Sequence, residues 1–247
     1  MGYLILGTRI DPTSYPSATK QVLAWAQKKE SRYVCVANVK TVMDAFDSPE
    51  YRRIVNRADL VTPDGVPLVW TMRQRGARGQ TRVYGLTLTL EVAKAASQEG
   101  IPVGLLGGTP EVLDYLALKL TERFPDIKIN YRYSPPFRTL SPEEDGKVVQ
   151  NINASGARIL FIGLGSPKQD RWMADHSGRI QAVMLGVGAA FDFIAGTKRQ
   201  APRWMQNSGL EWLYRLSQEP RRLWWRYLYH NPRFIVLVIL ETLFKRG

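Results

Sequence analysis

Short apolar bursts recur along the chain at residues 3–6, 33–37, 60–62, 103–106, 127–131, 159–162 and 182–185. Between them apolar residues return with a helical period, at 18–29, 48–57, 88–98, 110–124, 142–153 and 168–176. Runs without alternation read as strands covered on both faces, and their regular exchange with helices predicts βαβ units around a parallel sheet. The expected fold is α/β: a Rossmann-like, mostly parallel sheet with helices on both faces. Two helix starts carry their own signals. Thr109-Pro110-Glu111 and Ser141-Pro142-Glu143-Glu144 each set a capping hydroxyl before a proline at the first helical position and an acid in the first turn.

Around Gly196 this pattern stops. The sequence becomes rich in Arg, Trp and Tyr through "EWLYRLSQEPRRLWWRYLYHNPRFIVLVILETLF", which predicts two or three helices added to a finished α/β unit. The expected division is therefore an α/β domain at 1–196 and a helical appendage at 197–247. Charge sharpens that division. Of the formal net charge of +12, the segment from Lys198 onward supplies ten Lys or Arg against three acids. An excess of this kind calls for an anionic partner such as a phosphorylated substrate, an acidic lipid or a nucleic acid.

Residues 234–240 form an unbroken apolar run, far short of the roughly 20 residues that span a bilayer. Beside Arg221, Arg222, Arg226 and Arg233, with Trp224 and Trp225 between them, the run predicts a segment that lies on an anionic membrane surface. Packing against the α/β domain, or against a second copy in a homo-oligomer, is the structural alternative. A nucleic-acid binder would also interleave arginine with aromatics, but it has no need of so apolar a stretch, so nucleic acid is not the expected partner.

Candidate chemistry is sparse. The single cysteine, Cys35, lies in an apolar run and reads as a small buried hydrophobe; it permits no disulfide within the chain. The first ten residues lack a secretory pattern, so the expected location is the cytoplasm. The two histidines, His176 and His230, read as surface residues, and with one cysteine they cannot supply a nitrogen and sulfur zinc site. An Asp-x-Asp pair for a divalent ion is absent as well, so no metal and no cofactor are expected.

Three glycine-bearing stretches follow predicted strands: "GLLGGTPE" (104–111), "GLGSPKQD" (163–170) and "GVGAAFDF" (186–193). Each reads equally as a tight strand-to-helix turn or as backbone that lets a phosphate approach. On the second reading Gly107, Gly165, Lys168 and Gly188 are candidate ligand contacts. None of the stretches fits a dinucleotide or phosphate-loop fingerprint. The acids nearest strand ends are Asp64, in "LVTPDGVPLVW", and Asp192, between Phe191 and Phe193. Asp64 reads as a turn residue or as a general base whose pKa apolar neighbours would raise; Asp192 reads as a ligand contact or a buried structural acid.

Taken together, "ANVKTVMDA" (37–45), "DLVTPDGVPLVW" (59–70), "LFIGLGSPKQDRWM" (160–173) and the stretch from "GVGAAFDFIAGTKRQAPRWM" to "EPRRLWWRYL" (186–228) resemble the WecG/TagA/CpsF family of bacterial glycosyltransferases. The pieces occur in the family's order and cover nearly the whole chain.

The resemblance implies inverting, metal-independent transfer of N-acetylmannosamine, its uronic acid or glucose from UDP to a polyprenyl-diphosphate-linked acceptor. That would take place on the cytoplasmic face of the membrane, in cell-surface polysaccharide synthesis. It implies that Asp64 is the base, that Asn38 and Gln169 line the sugar-nucleotide pocket, and that Arg215 and Arg222 of the tail meet the diphosphate. Where relatives carry a third arginine this chain has Trp225, which leaves Arg226 as the candidate. Val36 replaces the threonine of the teichoic-acid branch. A nucleic-acid binder and a sugar-nucleotide binding module without activity are the competing readings.

Overall fold

The computed structural model describes residues 2–202, 204–205 and 208–244, with the side chains of Arg222 and Arg226 outside that description. The chain opens with an antiparallel hairpin, β1 (Tyr3–Ile5) and β2 (Thr8–Ile10), followed by α1 (Tyr15–Gln27) and β3 (Arg32–Ala37). Next come α2 (Val39–Asp47), α3 (Pro49–Arg57), β4 (Leu60–Pro63), α4 (Val66–Gln74), α5 (Gly85–Gln98) and β5 (Val103–Gly107). Then follow α6 (Pro110–Arg123), β6 (Ile129–Tyr133), α7 (Pro142–Ala154), β7 (Ile159–Gly163), α8 (Lys168–His176), β8 (Val183–Gly186) and α9 (Ala190–Ala195). The tail carries α10 (Glu211–Gln218) and the long α11 (Pro220–Phe244).

Strands β3 to β8 form one six-stranded sheet in the order β4-β3-β8-β7-β5-β6, and every pairing is parallel. The first apolar burst does not join it; Tyr3–Ile5 pairs instead with Thr8–Ile10 across a turn at Gly7. The sheet's two faces bury separate cores. Val34, Leu105, Ile159, Phe161, Val183 and Leu185 point to the side of α1, α5, α6 and α9. Their sequence neighbours Tyr33, Cys35, Leu106, Leu160, Ile162 and Met184 point to the other side, with α2, α3, α7 and α8. This alternation of wholly apolar residues is what a sheet covered on both faces requires.

The helix signals act as expected. Thr109 accepts from the Val112 amide, and Ser141 forms a full capping box with Glu144. Cys35 is fully buried. His176 is not a surface residue: it is 3% exposed, stacked on Trp172, with Nδ1 against the Trp172 carbonyl and Nε2 against Asp145. It couples α8 to α7.

The tail packs back on the α/β unit. Leu223, Phe234 and Val238 are buried, the latter two among the core residues beside α2. Arg233 holds Asp47 of α2 through both guanidinium nitrogens, and Glu241 accepts from Arg75 and from the Leu6 amide. The opposite side of α11 exposes Trp224, Trp225, Leu228, Tyr229, Ile235, Val236, Ile239, Leu240 and Leu243. Among the described residues no helix is long and apolar enough to cross a membrane.

Candidate active site

Parallel strands deliver their following loops to one edge of the sheet, and in open α/β sheets that carboxyl edge is where ligands sit. Asn38 follows β3, Asp64 follows β4, Gly165 and Gln169 follow β7, and Gly188 follows β8. All five line a cavity of about 590 Å³ at this edge, a size typical of small-molecule sites. Lys40, Lys198, Arg199 and Arg215 supply its positive charge.

Local structure fixes these groups. Asn38 caps α2, accepting from the Thr41 amide while Thr41 Oγ1 accepts from the Asn38 amide. Gln169 is buried, and its Oε1 accepts from the Gly165 amide at 3.0 Å. A Cβ at Gly186 would stand 2.9 Å from Gln169 Nε2 and 2.6 Å from Met173 Cε, so any larger residue there would push both side chains aside. The amide of Asp64 donates to the Ala37 carbonyl at 2.8 Å, which extends the β3–β4 pairing by one step beyond Pro63.

A second cavity, of about 410 Å³, lies between α4 and the tail, lined by Val66, Pro67, Trp70, Trp212, Tyr227, His230, Phe234 and Ile235. The two cavities share four lining residues: Asn38, Lys40, Asp64 and Arg215. One space is therefore polar and cationic, the other largely apolar, and Asp64 stands where they meet.

Asp64 is not alone there. Arg82, between α4 and α5, donates to Asp64 Oδ1 from Nη2 at 2.8 Å and from Nε at 3.1 Å, and Nε also donates to the Asp64 carbonyl. Its remaining nitrogen, Nη1, donates to Glu211 Oε2 of α10 at 2.7 Å. Arg215 donates to Glu211 Oε1 at 2.8 Å and to the Tyr84 hydroxyl at 3.1 Å, and lies over the Phe193 ring. Burial pushes the Asp64 carboxyl above the ordinary carboxylate range; Glu211 adds to that, while Arg82 and Arg215 pull against it. Burial also pushes the Tyr84 hydroxyl up to about 12.

Several candidates stand elsewhere. Lys168, at the start of α8, is exposed and outside both cavities, because the helix turns Gln169, Asp170 and Met173 inward. Gly107 also lines neither cavity. Its φ is +116°, and a Cβ there would lie 2.7 Å from the Gly163 carbonyl carbon, so its glycine serves strand packing. Asp192 is set behind the wall: Thr197 donates to its carbonyl and Lys198 lies 3.7 Å from its carboxylate, and these two partners line the cavity in its place. Arg222 and Arg226 fall on α11, but their side chains lie outside the described residues.

Sequence reasoning passed over Lys40, Arg82, Tyr84, Lys198, Arg199 and Glu211. Lys198 and Arg199 had a signal in the basic pair that follows Gly196; Arg82 and Glu211 had none, since their meaning lies in a contact between residues 129 positions apart. Among the described residues no group of three or more His, Cys, Asp or Glu side chains is placed to hold a metal ion.

A parallel sheet with a cationic cavity at its carboxyl edge, a buried carboxyl group in the cavity wall and an adjoining apolar cavity is the architecture of an α/β protein with a site suited to an anionic ligand. Residues 3–247 match the Glycosyl transferase WecG/TagA/CpsF family. The chain belongs to that family and is a glycosyltransferase, an enzyme that moves a sugar from a sugar-nucleotide donor to an acceptor.

Proposed function

We propose that this enzyme moves a hexose or N-acetylhexosamine-type sugar from UDP to a polyprenyl-diphosphate-linked acceptor, with inversion and without a metal ion. The observation that carries the reading is the position of Asp64 in the wall common to the two cavities. The cationic cavity suits a nucleotide diphosphate, whose leaving charge Lys40, Lys198, Arg199 and Arg215 would offset. The aromatic cavity suits the acceptor sugar and the first part of its lipid. An acceptor hydroxyl reaching Asp64 from one side then attacks C1 of the donor sugar held on the other. The C1–oxygen bond to UDP breaks as the new bond forms, and Asp64 takes the hydroxyl proton.

The division of the chain into a catalytic α/β domain at 1–196 and an appendage at 197–247 fits this scheme, since Arg215 and much of the second cavity come from the appendage. The exposed apolar stripe of α11 supports peripheral attachment to the inner face of the cell membrane, where a polyprenyl acceptor resides.

Calorimetry across a panel of UDP-sugars, followed by transfer of the bound sugar to a short polyprenyl-diphosphate acceptor, tests the reading. Binding of one UDP-sugar and release of UDP that depends on the acceptor are expected. Absence of UDP binding together with a salt-sensitive shift of DNA would replace it with the nucleic-acid reading, and UDP-sugar binding without transfer would leave a binding module.

A further inference from the structure

Two carboxylates and two guanidiniums from separate parts of the chain close into one chain of contacts beside Asp64. Glu211, the first residue of α10, has a side chain only 11% exposed, and it spends one oxygen on each arginine: Oε2 on Arg82 and Oε1 on Arg215. Arg82 is thereby gripped along both edges, by Glu211 through Nη1 and by Asp64 through Nε and Nη2. Both of its side-chain contacts with Asp64 fall on the same oxygen, Oδ1. Its guanidinium plane is pinned further by the Tyr84 ring, 4.3 Å away.

Charge decides what this arrangement is for. With Glu211 in place the two arginines are matched by two carboxylates. Without that charge, two largely buried cations would face one carboxylate, and a guanidinium released from Glu211 turns toward the strongest acceptor left, which is Asp64. A carboxylate held on both oxygens is a poor proton acceptor.

We propose that Glu211 is the positioning residue for Asp64: it draws Arg82 and Arg215 to itself, so that Arg82 holds only Oδ1 and the other carboxylate oxygen stays available to the acceptor hydroxyl. Because Glu211 belongs to the tail, the base acquires its working form only when α10 is seated on the α/β unit. The inference rests on the reading of Asp64 as the base.

The charged and titratable groups acting on or felt by Asp64 are Tyr15 from α1, Arg82 and Tyr84 from the segment leading into α5, and Glu211 and Arg215 from α10, while Lys40 of α2 lines both cavities with it and Tyr227 and His230 of α11 line the apolar one. Of these, Glu211 is the one whose negative charge keeps the carboxyl protonated to higher pH.

The test uses the full chain and reads kcat/KM for UDP release between pH 5 and 9, with melting curves and UDP calorimetry beside it. In Glu211→Gln the acid limb of the profile is expected to move to lower pH by about one unit, with the plateau about tenfold lower and UDP affinity within about threefold of wild type. Glu211→Asp keeps the charge but is too short to span both guanidiniums, so its limb is expected between the two. An acid limb at the wild-type position in Glu211→Gln overturns the proposal; if that variant does not melt cooperatively, a wild-type limb in Glu211→Asp does so. Asp64→Asn separates the two levels. If it keeps its turnover, the base reading itself fails; if it is inactive while the Glu211 limb stays put, only the role of Glu211 fails.

Discussion

Replacing Asp64 by asparagine removes the proposed base while disturbing little else, and the structure says why. Both side-chain bonds from Arg82 fall on Oδ1, and a third reaches the backbone carbonyl, so an amide oxygen in the same place still seats the guanidinium. Glu211 remains to hold Arg82 and Arg215. Of the cations lining the cationic cavity, Lys198 is held by Glu219 and Arg215 by Glu211 rather than by the Asp64 side chain. Donor affinity is therefore expected to stay within about threefold of wild type, measured by calorimetry with the UDP-sugar, since the cationic cavity keeps its arginines and lysines.

Turnover is another matter. A positioned general base contributes about 10²–10⁴ in rate, which is about 3–5 kcal/mol of barrier, and that loss should appear in kcat for acceptor-dependent UDP release. Stability offers a separate check with a definite sign. The folded-state pKa of Asp64 lies above its unfolded value, so between the two the folded protein holds more protons than the unfolded one, and stability falls as pH rises through that window. The neutral amide of the variant carries no such penalty. Its melting temperature relative to wild type should rise as pH climbs from below the ordinary carboxylate pKa toward neutrality. Turnover within tenfold of wild type would refute the assignment of the proton to Asp64, and a melting difference that shrinks over the same pH range would refute the burial argument behind it.

Two further outcomes follow from the packing. Gly107→Ala puts a methyl group 2.7 Å from the Gly163 backbone at φ +116°, and overpacking of this kind costs about 1–3 kcal/mol; thermal melting should fall by about 2–10 °C with UDP affinity retained, and an unchanged melt would show that the strands can part to admit it. On α11, Trp225 and Leu228 are 58% and 61% exposed. Burying each in a lipid interface is worth about 1.5–3 kcal/mol, so the double alanine variant should partition onto phosphatidylglycerol vesicles at least about a hundredfold more weakly. Unchanged sedimentation with vesicles would remove this stripe from the membrane, and loss of a dimer in its place would assign it to a second subunit.

How much of this was legible in the sequence depends on how local each feature is. The sheet was, because strands buried on both faces are continuous apolar runs: Val34 and Cys35 serve different cores yet are equally apolar. The hairpin was not, since 3–6 looks like any other apolar burst, and only its pairing partner Thr8–Ile10 shows that it stands apart from the sheet. Helix α2 begins directly after β3 behind its Asn38 cap, with no linker between strand and helix to mark the change. At the site, Asp64 stands out through its neighbouring proline and glycine, whereas Asn38 and Gln169 are read as pocket residues only from the resemblance to the family. Gly107 carries the same signal for another reason, a close approach between adjacent strands, because glycine reports that backbone must come near something without saying what. His176 shows the converse: nothing around "ADHSG" marks it as buried, and its partner Asp145 lies 31 positions away.

The tail is held by two kinds of contact that do different work. Its ion pairs, Arg75–Glu241, Lys198–Glu219 and Arg233–Asp47, are partly exposed, and pairs of that sort contribute about 0–1 kcal/mol each. Leu223, Phe234 and Val238 are 8% exposed or less, and burying side chains of this size is worth about 1.5–3 kcal/mol apiece. Apolar anchors therefore decide that the tail sits on the α/β unit, and the charged pairs decide where. The second function matters at the site, because sliding α10 by one turn of about 5.4 Å would carry Glu211 out of reach of Arg82 while leaving much of the apolar contact in place. A tail seated out of register would keep the α/β fold yet move Arg215 out of the cationic cavity and leave Asp64 exposed to the full pull of Arg82. The seating of Glu211 beside the proposed base is thus tied to contacts as far away as Arg233 and Asp47, which touch neither cavity.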